Sequence, residues 1–355
     1  MALDTNKFVD GLIDNGYSHL CVVPCSFAKN VINAAINNDS IEYVPCASEA
    51  VACSIAAGLK MAGSKPIVIV QSSGVTNMGS CMTSLLNPYS LTFPIITSWR
   101  TYKAGNSEIQ HKHLATELPT LIASYGYEHI VIDQDSIDTA IVQINTCDTS
   151  KTVSVLKKDT FTKVELEEKH KLDLSGYTPR SEFLMKMNEM CKKTDTLFIG
   201  TTGNTAREMY SFMPDTNNFY MAGNMGGALS LGLGAALAGK KVVVCGGDAE
   251  FVMHMGGMTT AGRYKDISLT YLLFDNESNK STGGQNTYQS HVNYIGIAKS
   301  SNLDCIDEIV TDLSEFSTTF ETIQKTTGLK FLCVKCGVDE ETPRPPLNVV
   351  KASEF

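Results

Sequence analysis

Short runs of β-branched and apolar residues alternate with helix-length stretches twice along this chain, and that alternation does most to limit its fold. The first series, within residues 1–150, reads HLCVVP, EYVPCAS, PIVIVQSS, PIITSW and HIVID. The second, after residue 190, reads TLFIGTT, FYMAG, KKVVVCGGD, LTYLLFDN and KFLCVKC. Runs this apolar suit strands buried on both faces, and the long connections suit parallel pairing with helices covering the sheet. The two series predict an α/β chain of two tandem, doubly wound parallel-sheet domains. Between them, 157–183 (KKDTFTKVELEEKHKLDLSGYTPRSEF) is charged and carries a Gly and a Pro. Domains are therefore expected at 1–165 and 186–355, with a linker over 166–185. At 355 residues and 43% hydrophobic, the chain is long enough for each half to bury its own core.

A net charge of −9 argues against a general nucleic-acid binder, whose affinity rests on a basic footprint. An anionic ligand must then meet a local basic pocket. The amino terminus, MALDTNKFVDGLIDNG, lacks the charged-then-apolar pattern of a secretory signal, and no apolar run approaches the roughly 20 residues that span a bilayer. Eleven cysteines, several inside apolar runs, read as reduced core residues of a cytoplasmic protein. Cys333 and Cys336 form a CxxC pair with no second pair or spaced His to complete a zinc set.

Chemistry is concentrated where strand-like runs end. Gly247 and Asp248 close VVVCGGD, and Asn276 closes LTYLLFDN. Two strands that each deliver an oxygen-bearing side chain at the carboxyl end make half a shell for Mg²⁺, which is held by one or two protein groups plus phosphate oxygens. An Asp that caps a helix and an Asn that ends a strand are the simpler explanation of the same residues. The stretch after Asp248 begins as a helix should, with free N–H groups facing the same place. Upstream, 221–239 is rich in Gly and Ala, which permits close approach of backbone to a ligand or to a neighbouring helix. Downstream, NESNKSTGGQ (276–285) is a polar, Gly-rich loop suited to substrate contacts. In the first half, Glu49 stands where a strand passes into an Ala-rich helix. Ser48-Glu49 fits a helix cap; Glu49 also fits a partly buried acid that exchanges a proton with a heterocycle.

In combination these segments resemble the thiamine diphosphate-dependent 2-oxo acid decarboxylases, over nearly the whole chain. The family's GDG, gap and Asn are matched by Gly247-Asp248-Ala249 and Asn276, and its coenzyme-activating Glu by Glu49. The resemblance implies a pyrimidine-binding first domain and a diphosphate-binding second one. It implies Mg²⁺ on Asp248, Asn276 and the carbonyl of Ser278, with Gly223 and Met225 holding the coenzyme bent. Ala249 replaces the family's third Gly, and an alanine is comfortable there only at negative φ.

VPCSF (23–27), QSSGVTN (71–77), SWR (98–100), EIQH (108–111), MHMGG (253–257) and STGGQ (281–285) resemble the branch of this family that acts on phosphonopyruvate. The implied reaction is non-oxidative decarboxylation of 3-phosphonopyruvate to phosphonoacetaldehyde and CO₂, in phosphonate biosynthesis. Alternatives are sulfopyruvate as substrate, carboligation of the decarboxylated product to another aldehyde, or an idle coenzyme-binding protein. The fused two-domain length favours phosphonopyruvate over sulfopyruvate, whose enzymes are often split into two subunits. A doubly charged phosphonate needs Arg, Lys or N–H donors. Arg100 and Lys103 are the first candidates, followed by His111, with Ser26, Ser281, Thr282 and Gln285 as further contacts. Glu49, His111 and Ser26 are the expected catalytic residues. Arg100 and Lys103 also read as solvated loop charges, His111 and His113 as a surface pair, and His254 as a core residue. The resemblance implies a homodimer or higher homo-oligomer with active sites between subunits.

Overall fold

The computed structural model describes residues 2–100, 108–339 and 341–343. It divides into two compact units, Met1–Lys171 with Ser281–Asn286, and Leu172–Lys280 with Thr287–Phe355.

The first unit contains β1 (Tyr17–Val22), β2 (Glu42–Pro45), β3 (Lys65–Gln71), β4 (Ile95–Ser98), β5 (Glu128–Val131) and β6 (Thr152–Leu156). All pairings are parallel, in the order β2-β1-β3-β4-β6-β5. Side chains alternate across a pleated strand, so β3 sends Ile67 and Ile69 into one core with Phe8, Leu12 and Ile144. Val68 and Val70 enter the opposite core with Ala52, Ala56, Leu118 and Val155. That double burial is why the sequence shows continuous apolar runs in place of alternation. Asp4 and Ser136 cap the helices Thr5–Asp14 and Ile137–Thr149 by accepting from Lys7 and Thr139 N–H groups.

The second unit contains β7 (Leu197–Gly200), β8 (Asn217–Tyr220), β9 (Val242–Gly247), β10 (Ser268–Asp275), β11 (Asp304–Cys305) and β12 (Gly328–Lys335). Its order is β11-β12-β10-β9-β7-β8, again with every pair parallel. Counted from its own first strand, it repeats the 2-1-3-4-6-5 order of the first sheet. The likeness reaches the sequence: the helices after β2 and β8 carry SIAAGLKMAG (54–63) and SLGLGAALAG (230–239). Each segment closes on a glycine in left-handed backbone, Gly63 at φ 87° and Gly239 at φ 90°.

Three details differ from the sequence-based expectation. β6 lies inside the first sheet, between β4 and β5, yet its TVSVL is short, carries hydroxyls at Thr152 and Ser154, and runs into KKD. The charged stretch beyond it is not free: Leu3 bridges to Phe161, and Asn33 and Asn37 donate to the carbonyls of Val164 and Glu165. The linker expected over 166–185 also gives way early, because a helix begins at Arg180. Arg180 is buried, with Nε and one terminal nitrogen on the two carboxylate oxygens of Glu208 at 2.7 and 2.8 Å.

All eleven cysteines are free thiols. Cys333 and Cys336 belong to different cores of the second unit, so they do not share an ion. Among the described residues, no helix is long and apolar enough to cross a membrane.

Candidate active site

In open parallel sheets, ligands gather beyond the carboxyl ends of the strands. Glu49 lies there in the first unit, opening the helix Glu49–Met61 just after β2. Ser48 caps that helix, its hydroxyl accepting from the Val51 N–H, so the cap and the acid are separate residues. Glu49 itself is 6% exposed and accepts from Asn77 Nδ2 at 2.8 Å. Gly74 packs so closely that a Cβ there would stand 2.4 Å from Glu49 Oε1. One carboxylate oxygen is thus held by an amide and the other is pressed by bare backbone, which leaves the side chain little rotational choice.

The ends of β1 and β4 supply a second cluster in the same unit. Arg100 donates to Ser26 Oγ at 2.5 Å and to Glu108 at 3.3 Å, and its guanidinium lies 4.4 Å from the Phe27 ring centroid. It is a positioned, half-buried charge and not a solvated one. His111 is buried beside it, while His113 is exposed, so the two are not a surface pair. Burial first, then the Arg100 charge, push the His111 imidazole down to about 4, with Glu108 opposing. His111 is therefore neutral near pH 7, and its Nδ1 is buried without a hydrogen-bond partner among the described residues. Lys103 lies outside the described residues. In the 281–286 segment, Ser281 is exposed and Thr282 half-buried. Gln285 is sealed from solvent and donates to Asn33 Oδ1 at 2.8 Å.

In the second unit, β9 and β10 are neighbours in a register that pairs Gly247 with Phe274. Asp248 and Asn276 therefore emerge together just past the paired ends. Asp248 is buried, accepts from Thr287 Oγ1 at 3.1 Å and from the Ala249 N–H, and has its carboxyl pushed up to about 7, first by burial and then by Asp275. Arg180 attracts it from farther away but is already bound by Glu208. Asn276 is buried, and its Oδ1 accepts from the Ser278 N–H at 3.1 Å. A buried acid beside a second acid, met at close range by neutral donors, is a place that a divalent cation would stabilise. Among the described residues no three His, Cys, Asp or Glu side chains form an ion cage. The donor set fits a hard divalent cation that would take its further oxygen ligands from a bound anion.

Gly223 and Met225 lie in the loop after β8, the same place in this sheet that Glu49 holds in the other. Ala249 has helical backbone inside Asp248–Met253 and is not among the residues with positive φ, so the missing glycine introduces no backbone strain. His254 is exposed, not a core residue; its ring lies over Gly226, where a Cβ would come within 2.8 Å of it.

Several polar groups at this site carry no motif. Glu250 is buried, accepts from the Tyr271 hydroxyl at 2.6 Å, and is pushed up to about 7 by burial. Gly246 leaves room for that pair, since a Cβ would meet Tyr271 at 2.5 Å. Lys335, at the end of β12, reaches Asp275 at 3.0 Å and Glu277 at 2.5 Å. The one available sequence signal was polarity inside apolar runs, as for Glu250 in AEFVM and Lys335 in CVKC.

Comparison with known proteins places both units in one enzyme family. Residues 5–117 match the N-terminal TPP binding domain of thiamine pyrophosphate enzymes, and residues 199–334 match the C-terminal TPP binding domain. A phosphonopyruvate decarboxylase of Streptomyces viridochromogenes is 28% identical over 96% of this chain and 90% of its own length. A sulfopyruvate decarboxylase of Methanosarcina acetivorans is 25% identical over 79% of this chain and 78% of its own. The sulfopyruvate decarboxylase subunit beta of Methanocaldococcus jannaschii is 33% identical over 41% of this chain and 77% of its own length. With both coenzyme-binding domains matched in order, and relatives of this kind across nearly its whole length, the chain belongs to the thiamine diphosphate-dependent enzymes, in the decarboxylase branch that holds the phosphonopyruvate and sulfopyruvate decarboxylases.

Proposed function

We propose that this chain catalyses the Mg²⁺- and thiamine diphosphate-dependent decarboxylation of 3-phosphonopyruvate to phosphonoacetaldehyde and CO₂, as a step of phosphonate biosynthesis. The observation that carries the substrate choice is the extent of the match to the Streptomyces viridochromogenes relative, 96% of this chain and 90% of that one. Length alone does not separate the two substrates, because the Methanosarcina acetivorans sulfopyruvate decarboxylase also matches through most of both chains. The Arg100 cluster supports an anionic substrate in either case.

When bound, thiamine diphosphate supplies the electron sink that a 2-oxo acid lacks as CO₂ departs. Glu49, fixed by Asn77 and Gly74, holds a proton for the pyrimidine ring. Asp248, Asn276 and the Ser278 carbonyl hold Mg²⁺, while Gly223, Met225 and the Gly247-Asp248-Ala249 turn receive the coenzyme. Arg100, with Lys103 and the backbone of 281–284, binds the phosphonate, and Ser26 orients the guanidinium. His111, neutral near pH 7, acts through hydrogen bonds and not through charge. Relatives named as beta and alpha subunits support a working form of more than one chain, which we place at a homodimer or larger.

Release of CO₂ from phosphonopyruvate, sulfopyruvate and pyruvate, with and without thiamine diphosphate and Mg²⁺, tests the reading. Phosphonopyruvate should turn over fastest, and only with both additions. Equal or faster turnover of sulfopyruvate overturns the substrate choice, and no release from any of the three leaves an idle coenzyme-binding protein.

A further inference from the structure

The turn that carries Asn276 is unusual. Glu277 follows it in left-handed backbone at φ 49°, a region that disfavours side chains with a Cβ. Something must hold the turn there. Its carbonyl accepts from the Thr287 N–H at 2.9 Å, and its N–H donates to Asp275 Oδ1 at 3.1 Å. Its carboxylate is taken by Lys335, which also binds Asp275 Oδ2. Lys335 can do both because β12 lies beside β10 in a register that pairs it with Asp275. The lysine side chain is 12% exposed, with Tyr177 beside it at 5.8 Å from ring centroid to Nζ.

We infer that Lys335 is a positioning residue for the cation site: by clamping Asp275 and Glu277, the residues on either side of Asn276, it fixes the left-handed turn that presents the Asn276 side chain and the Ser278 carbonyl. This rests on the reading of Asp248, Asn276 and Ser278 as the cation's ligands. Without the clamp the turn relaxes in the free protein, and cation binding must restore it. Thr287 extends the effect, since the same residue that bonds the Glu277 carbonyl donates its hydroxyl to Asp248.

Binding of Mn²⁺ in the presence of thiamine diphosphate, followed by the loss of the free ion's electron paramagnetic resonance signal, tests this without turnover. Lys335→Met should weaken Mn²⁺ binding roughly five- to thirtyfold, the cost of holding one side chain in left-handed backbone unaided. Glu277→Ala keeps that backbone burden and deletes the other half of the clamp, so it should weaken binding to a similar degree. Glu277→Gly deletes the same carboxylate but is at ease at positive φ, and should stay within about twofold of the unsubstituted protein. If Lys335→Met does not fold, the Ala and Gly pair alone decides the matter. Equal losses in Glu277→Ala and Glu277→Gly, or full affinity in Lys335→Met, overturn the inference. Absence of coenzyme-dependent Mn²⁺ binding in the unsubstituted protein overturns the ligand assignment itself and the inference with it.

Discussion

Gly74 offers a sharp test of how Glu49, the proposed catalytic acid, is held. Replacing it with alanine adds one methyl group whose carbon would stand 2.4 Å from Glu49 Oε1 and 2.5 Å from Glu49 Cγ. Contacts that short do not persist, so the carboxylate must move by about 1 Å to reach van der Waals distance. The move loosens or breaks the 2.8 Å bond from Asn77, which as a hydrogen bond contributes roughly 0.5–1.5 kcal/mol. A displacement of that size at a reacting group costs about 10²-fold in rate. Turnover should therefore fall about a hundredfold, while overpacking costs on the order of 1–3 kcal/mol of stability, too little to unfold a domain with its own core. The assay is CO₂ release at saturating thiamine diphosphate, with a thermal melt of the same sample. Gly58→Ala is the control: that position lies on the helix that Glu49 opens, with nothing within 4 Å of an added Cβ, so activity should hold and stability rise slightly. A folded Gly74→Ala protein with turnover within threefold of the parent would refute the claim that the Gly74 and Asn77 contacts place Glu49 for catalysis.

Three further outcomes follow from the same geometry. Ala249→Gly should not tighten thiamine diphosphate binding and should cost roughly 0.5–1 kcal/mol in a melt, because Ala249 already has helical backbone; a clear gain in coenzyme affinity contradicts this. His111 resists protonation until about pH 4 in the folded chain, against an ordinary value of 6.5, so its contribution to stability is complete above 6.5 and is lost as pH falls toward 4. That loss amounts to at most about 3 kcal/mol, and His111→Gln should flatten the fall in melting temperature across that window. Asp248→Asn should leave the coenzyme-free protein no less stable, since it removes a buried carboxylate, yet abolish the thermal stabilisation that thiamine diphosphate gives with Mg²⁺; retained stabilisation removes Asp248 from the cation's ligands.

What the sequence disclosed, and what it hid, follows from the range of the interactions. Ten of the twelve strands among the described residues were visible because strands buried on both faces write continuous apolar runs, and Glu49, Asp248 and Asn276 were visible because they interrupt or end such runs. β6 was hidden by its own composition, and β11 by being two residues long. Arg180 lay in the stretch read as a linker, because its partner Glu208 comes from another helix. Asn77, Thr287 and Lys335 act on Glu49, Asp248 and Glu277 across gaps that only the folded chain closes. The neutral state of His111 likewise depends on burial and on Arg100, neither of which the QHKH segment reveals.

The shared 2-1-3-4-6-5 strand order lets the two units be laid over each other position by position. Past the third strand stands Ser72 in the first and Asp248 in the second; past the fourth, Trp99 and Arg100 answer to Asn276 and Glu277. At these matched positions the first unit carries Arg100, and the second carries Asp248, Asn276 and Glu277. One strand order thus carries different polar groups past its carboxyl ends in the two units. The strands keep one order while the residues just beyond their ends, and the charge those residues carry, differ.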